Sequence, residues 1–523
     1  MKFSPFVFPA ALLLGSCMVG PDFQVPGASG GSKWKETQAT SGARLPDQWW
    51  RLFKDRELNQ LVDRALAANN DLAAAKARVD TSRALVGVDR ARLFPTLDLL
   101  GSAGISRSAL DSSGGAQPSG FTRDLQTERY RGSFDLAYDP DLWGRNKRQI
   151  EASSAQAAAS EALLDSQRLG VATEVARQYF LLRGLDAQEA VVQDTLASRG
   201  EALDIQKSRT DAGLIDGLSS SRARTEVELA NNDLALVQRQ RGSTEHALAV
   251  LCGARPSDFT VARRVGNSAF PNIRAGLPAE VLARRPDVRA AEQDLRAANA
   301  RIGVAESAFY PNFSLTASGG LEALDVKRFL NWENRVLSLG AGAAAPLIDG
   351  GANRANYQAA RSRYDEALAN YRQTLLVALR EVEDALVDLK GLARSRSALD
   401  AALNSSRETK SLSQERFDKG LTSYLDVVDA DRTVLQTRLA ISQTEAQQRI
   451  TLTALAKALG GGWSGKSAEV ALRSADVPVG QENEKANEKA ANDAPLAPHS
   501  LRRRGRQRSQ GRQERRRPRR PSE

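Results

Sequence analysis

This chain of 523 residues has few of the groups that perform redox, metal or covalent chemistry: two cysteines and two histidines. Cys17 and Cys252 cannot make a disulfide framework, and with His246 and His499 they lack the spacing of a metal-ligand cluster. Aromatic residues make up 6% of the chain, and Ala-rich polar stretches dominate, which suits long thin helices better than a thick globular core. Beyond the N-terminus no run reaches 18 apolar residues, so no membrane-spanning helix is expected. Proline is missing from Pro140 to Pro256 and again from Pro346 to Pro478, leaving two long stretches without a helix breaker.

What the chain does have is basic charge, a formal +10, but its location removes the usual implication. Eleven arginines against Glu514 and Glu523 fall between Leu501 and Glu523, so the rest of the chain is close to neutral. The segment NEKANEKAANDAPLAP before them is polar and low in complexity, and residues 464–523 read as a disordered tail rather than a nucleic-acid site. No nucleic-acid partner, cofactor or catalytic residue is expected.

The N-terminus sets the compartment. MKFSPFVFPAALLLGSC carries one lysine and then an apolar run from Phe6 to Leu14, too short to span a bilayer and typical of a signal peptide. Leu14-Gly15-Ser16-Cys17 resembles a lipobox, in which the chain is cut before a cysteine that then carries a diacylglyceryl group. Cleavage would remove residues 1–16 and leave Cys17 lipidated at the head of an extension, 17–57. Met18 follows, where an aspartate would favour inner-membrane retention, so the outer membrane is expected.

GGGWSGKS, from Gly460 to Ser467, fits the phosphate-cradling loop G-x-x-x-x-G-K-[ST], with Gly460, Gly465, Lys466 and Ser467 in place. That loop works between a buried strand and a helix. Here a long amphipathic helix is expected before it, and an exported protein meets no ATP. The glycines read as a helix stop.

The chain is duplicated. LARRPDVRAAEQDLRAANARIGVAESAFYPNFSLTASGG, from Leu282, aligns with LAANNDLAAAKARVDTSRALVGVDRARLFPTLDLLGSAG, from Leu66. DPDLWGR at Asp139 matches APLIDGG at Ala345, and AGL at Ala212 matches KGL at Lys419. The copies are expected at 58–270 and 271–463, with about ten extra residues near Ser106 to Thr127. In each, a helix stops at a proline (Pro95, Pro311) and two strands follow. Phe313, Leu315 and Ala317 alternate with polar neighbours, as do Tyr130, Phe134, Leu136 and Tyr138. Long helices come next: Tyr357, Tyr364, Tyr371, Ala378 and Ala385 recur every seven residues beside Leu368, Leu375, Val382 and Leu389. A helix over Asn353 to Lys419, about 100 Å at 1.5 Å per residue, is expected to turn at Gly420 and return to Leu459.

Four membrane strands cannot close a barrel, and an open edge in lipid strands backbone groups. Three copies would supply twelve strands and twelve long helices, so a homotrimer is expected. The fold class is therefore mainly α with a membrane β-barrel: long coiled-coil hairpins and four strands per chain, giving a 12-stranded barrel and an α-helical tunnel.

These residues resemble the TolC-like outer-membrane efflux channels, in particular their lipoprotein (OprM/NodT-like) branch, from Cys17 to about Trp463. CMVGPDFQVP, DQWWRLFKDRELNQLVDRALAANNDLAAAKARV, ARRPDVRAAEQDLRAANARIGVAESAFYPNFSLT and ALGGGW carry the likeness. The resemblance implies a lipid-anchored trimer in the outer membrane whose tunnel crosses the periplasm toward an adaptor and an inner-membrane pump, expected to be proton-driven, with drugs or other small molecules passing passively. It implies a periplasmic gate of carboxylates in SYLDVVDAD, at Asp426, Asp429 and Asp431, each repeated three times around the axis. It also implies adaptor docking at the matching turns Gly213-Leu214 and Gly420-Leu421, with Asp216 and Arg222 near the first. Thr422 stands about where some relatives carry an arginine. A duct for type I protein secretion has the same outline, and a periplasmic coiled-coil scaffold without a pore is argued against by the paired strands.

Overall fold

The computed structural model describes residues 18–27, 33–36, 45–108, 125–265 and 268–461. Cys17, the expected signal sequence and the Arg-rich tail lie outside the described residues. Two short helices, α1 (Arg56–Ala68) and α2 (Asn70–Ala91), lead into strands β1 (Thr96–Ser108) and β2 (Leu125–Tyr138), then helices α3 (Arg145–Asp211) and α4 (Gly217–Leu251). The order then repeats: α5 (Pro278–Arg284), α6 (Pro286–Ser307), β3 (Asn312–Ala323), β4 (Arg335–Ala344), α7 (Ala352–Asp418) and α8 (Tyr424–Ala458). Both α2 and α6 have 22 residues, α3 and α7 have 67, and α4 and α8 have 35. The duplication read from the alignment is thus a duplication of elements.

The same local devices end the matching helices. Gly213 and Gly420 both have φ +71. The next residue's amide reaches back five positions in each, Leu214 to Arg209 and Leu421 to Arg416, both at 2.9 Å. Gly253-Ala254 and Gly460-Gly461 close α4 and α8 in the same way, the last amide bonding the Ala249 or Ala456 carbonyl at 2.9 Å. This glycine-terminated motif satisfies carbonyls that the helix leaves free. The first glycines of GGGWSGKS therefore stop α8, and a helix rather than a strand precedes them. The remaining residues of that octet lie outside the described residues.

The helices before the prolines stop at Ala91 and Ser307, four residues upstream of Pro95 and Pro311. Each ends in single turns rather than running to the proline, because the residue before proline is pushed out of the helical region. Asn146 donates to the Arg92 carbonyl at 3.4 Å, and its counterpart Asn353 donates to the Ala308 carbonyl at 3.2 Å. Each joins the end of a short helix to the start of a long one across a strand pair.

The four strands form one antiparallel sheet in the order β1-β2-β3-β4. Register places Leu97 by Leu136, Leu99 by Phe134, Phe134 by Gly319 and Leu136 by Ala317, so one face carries these with Leu315, Leu337 and Leu339. The opposite face carries Asp98 by Asp135, Ser102 by Arg131 and Arg131 by Glu322. Leu97, Leu99, Leu337 and Leu339 are exposed. A sheet with its apolar side outward suits lipid and not water. Among the described residues β1 and β4 are the edges of this sheet.

The helical body is held by modest cores. Trp49, Trp50 and Phe53 pack on Leu169, Tyr179 and Phe180 of α3 and on Leu248 of α4, with the Phe53 and Phe180 rings 4.7 Å apart. The seven-residue stripe of α7 is the buried one: Tyr371, Leu375 and Ala378 meet Leu282 and Leu295, while Val382 and Ala385 meet Leu455. Small residues let helices approach closely. An alanine at Gly184 of α3 would put its Cβ 2.5 Å from that of Ala446 on α8.

Candidate functional site

The ends of α3 and α7 lie together. The Arg209 guanidinium sits over the Phe417 ring at 5.6 Å and lies 3.5 Å from Asp418, and Phe417 packs on Tyr424. Beyond them project the two glycine turns, with Leu214 74% and Leu421 66% exposed. Leucines held outward by a rigid turn are a surface with apolar area to bury. The glycines themselves are explained by their positive φ, since a Cβ there would meet nothing. Asp216 starts α4 by accepting the Leu218 amide at 3.2 Å, and Arg222 lies one turn further along.

The three aspartates of SYLDVVDAD separate. Asp426 and Asp429 share the exposed face of α8, while Tyr424, Val427, Val428 and Val434 face inward. Asp426 accepts from the Thr422 hydroxyl and from the Ser423 amide and hydroxyl at 3.1 Å. Those bonds, Thr422 first, hold its carboxyl below the usual carboxylate range. Asp429 is solvent-facing, 3.6 Å from Arg432. Asp431 is turned into the helix packing, where Arg199 Nε of α3 reaches it at 3.0 Å and Lys410 Nζ of α7 also binds it.

Asp431 belongs to a larger cluster. Arg199 also bonds the Glu226 carbonyl of α4 at 3.1 Å and lies 3.1 Å from the Glu226 carboxylate. Arg432 of α8 binds Glu226 in turn. One turn along, Arg438 of α8 meets Asp194 of α3 at 2.9 Å. All four long helices are thus tied near their tips around a cavity of about 390 Å³, lined also by Gln206, Gln414 and Asp418. Arg199 and Glu226 are nearly buried, so their charges are compensated only while the hairpins stay together. Arg199, Glu226, Lys410 and Arg432 were not candidates in the sequence. A signal did exist: Glu226 lies between Ala223 and Ala230, and Asp431 follows Val427 and precedes Val434, charges on otherwise buried stripes.

A second network fixes the middle of the body. Asp55 begins α1 and accepts from Tyr179 Oη at 2.9 Å, Arg264 at 2.8 Å and Ser268 at 2.9 Å. Burial opposes its charge, but these bonds and the Leu58 amide prevail and hold its carboxyl low. Burial beside that carboxylate pushes the Tyr179 hydroxyl up. Further along, Asp186 joins Arg183 and Arg241 at 2.9 and 2.7 Å.

The family model for the outer membrane efflux protein matches residues 61–254 and 277–461, one stretch on each structural copy. The chain belongs to this family. It is 35% identical over 473 residues to the solvent efflux pump outer membrane protein SrpC of Pseudomonas putida, covering 89% of this chain and 99% of that one. It is 31% identical over 460 residues to the pyoverdine export outer membrane protein OpmQ of Pseudomonas aeruginosa, covering 87% and 96%. Among solved structures, the outer-membrane channel OprN superposes with a TM-score of 0.78 at 31% identity, covering 86% of this chain and all of that one. As an outer membrane efflux protein, the chain contributes its sheet to an outer-membrane barrel and its long helices to a periplasmic tunnel, and efflux is its function.

Proposed function

We propose that the chain works as a homotrimer, the passive outer-membrane duct of a tripartite system that carries drugs or other small molecules from a periplasmic adaptor and a proton-driven inner-membrane pump to the exterior. The observation that carries this is the sheet: its apolar face is bare and both edges, β1 and β4, lack strand partners among the described residues. In lipid each unsatisfied backbone group costs several kcal/mol, so the edges must pair with other copies. Cys17 carries the lipid anchor. The protein is a conduit and not an enzyme.

Gating is assigned to the hairpin tips. Asp426 and Asp429 face the axis, where threefold repetition brings like charges together and repels anions, and Thr422 and Ser423 hold the Asp426 carboxyl in its charged form. Asp431 closes the gate differently, by pinning α8 to α3 and α7 through Arg199 and Lys410. Gly213-Leu214 and Gly420-Leu421 take the adaptor, the leucines giving apolar contact. The cargo is chosen by the pump, which fits the different cargoes in the names of relatives of similar identity. A strain lacking the chain should accumulate a small cationic dye and recover on complementation. If dye accumulation is unchanged while an exported polypeptide is lost, the duct serves type I protein secretion instead.

A further inference from the structure

Arg148, in the first turn of α3, is out of place by the rules for helices. A cation near a helix N-terminus faces the positive end of the dipole, and this one is also buried, with 2% of its side chain exposed. Its counterpart at the start of α7 is Ala355, so a long helix of this kind begins without an arginine there. What surrounds Arg148 explains it. Its Nε donates to the Val19 carbonyl at 3.0 Å, and one terminal nitrogen donates to the Gly20 carbonyl and to Asp22, both at 2.9 Å. The other terminal nitrogen binds Glu151 at 2.8 Å.

The segment from Met18 to Phe23 is held at several further points. The Val19 amide donates to the Trp143 carbonyl at 3.1 Å, and Asn299 of α6 donates to the Pro21 carbonyl at 2.8 Å. Gly20 has φ +97 and lies so close to α6 that a Cβ would fall 2.4 Å from Gly303 Cα. Gly144 has φ +73, and a Cβ there would fall 2.7 Å from Met18 Cγ. Gly87, the counterpart of Gly303 in the first copy, has open space around it, so this groove is built for one strap and is not a by-product of the duplication.

The groove also has a definite height. Trp143 lies between β2 and α3, its indole donates to the Pro311 carbonyl at the foot of β3, and its ring stacks on Tyr310 at 4.9 Å. Tryptophan and tyrosine at the ends of membrane strands mark the membrane–water boundary. Cys17 is peptide-bonded to Met18. We infer that Arg148 is a positioning residue for the lipid anchor: it locks residues 18–23 into the α3–α6 groove and so holds the lipid on Cys17 at the periplasmic rim of the barrel, where its chains can enter the inner leaflet as the sheet inserts. This rests on the lipidation of Cys17 assigned above.

The test compares the wild type, Arg148→Met and Arg148→Lys, each with Cys17 and with Cys17→Ala behind a non-lipoprotein signal sequence. Labelled palmitate should enter every Cys17 form, because modification precedes folding. Hydrogen exchange of residues 18–23 in the purified protein should speed up about tenfold or more in Arg148→Met, as charge-assisted bonds are lost, and recover in part in Arg148→Lys. The yield of heat-resistant oligomer in outer membranes should fall several-fold in Arg148→Met with Cys17, with no further fall in the Cys17→Ala background. Unchanged exchange in Arg148→Met would overturn the socket. An equal fold-loss in both backgrounds would make Arg148 a stability residue and overturn the positioning role. Absence of palmitate in the wild type removes the anchor itself, while exchange still decides whether the socket exists.

Discussion

Helices α3 and α7 have the same length and end in the same turn, yet their chemistry differs. Gly184 of α3 is pressed on Ala446, whereas its counterpart Gly391 of α7 faces open space. Arg199 of α3 is buried among Glu226 and Asp431, whereas its counterpart on α7 is Ser406, bonded only within its own turn to Leu403. Glu226 of α4 becomes Thr433 on α8, and Asp431 of α8 becomes Arg224 on α4. Duplication has kept lengths, stops and the Asn146 and Asn353 links. The close contact and the Arg199–Asp431 pair join α3 to α8 inside one chain, and the matching glycine of α7 has no such neighbour among the described residues.

That contrast can be broken position by position. Gly184→Leu should have the largest effect, since even a methyl collides with Ala446; overpacking of this kind costs about 1–3 kcal/mol or more. Heat-resistant oligomer should vanish, whereas Gly391→Leu should leave the subunit folded by circular dichroism and affect assembly alone. Asp431→Ala leaves Arg199 and Lys410 without their shared carboxylate. Arg199 keeps Glu226 and Lys410 is partly exposed, so the loss is about 1–2 kcal/mol, read as a lower thermal midpoint, while Ser406→Ala should stay within about 0.5 kcal/mol. A smaller effect is expected from acid. Because the Asp55 carboxyl is held low, its contribution is full above the unfolded value of about 3.9 and is lost as pH falls through the lower folded value. The thermal midpoint should drop as pH falls below about 4, and less so in Asp55→Asn. Smallest for stability are Leu214→Ala and Leu421→Ala, which should leave the midpoint unchanged yet reduce co-purification with the adaptor.

Much of this architecture was legible because it rests on local rules. Proline-free stretches, the seven-residue stripe of Tyr371, Ala378 and Ala385, and glycine stops at 213, 420 and 460 are readable from neighbours in the chain. The alternation of Phe313, Leu315 and Ala317 placed the apolar face of the sheet. The ion cluster was harder to see because Arg199, Glu226 and Asp431 come together only when two hairpins pack, 232 positions separating the outer pair. Equally hidden was the division among the aspartates. Asp426 and Asp431 look alike in SYLDVVDAD, and only the stripe formed by Tyr424, Val427 and Val428 tells which one is turned inward. Arg148 could not be connected with Val19 and Gly20 from the sequence, since main-chain carbonyls leave no mark there.

The central claim is a passive duct closed at its helical tips. Planar-bilayer recording of the purified protein, without nucleotide, addresses it most directly. The wild type should give small, brief openings, and Asp431→Ala or Asp426→Ala with Asp429→Ala should give larger and longer ones. Silence from the wild type and from both variants, in preparations that contain heat-resistant oligomer, would contradict the account.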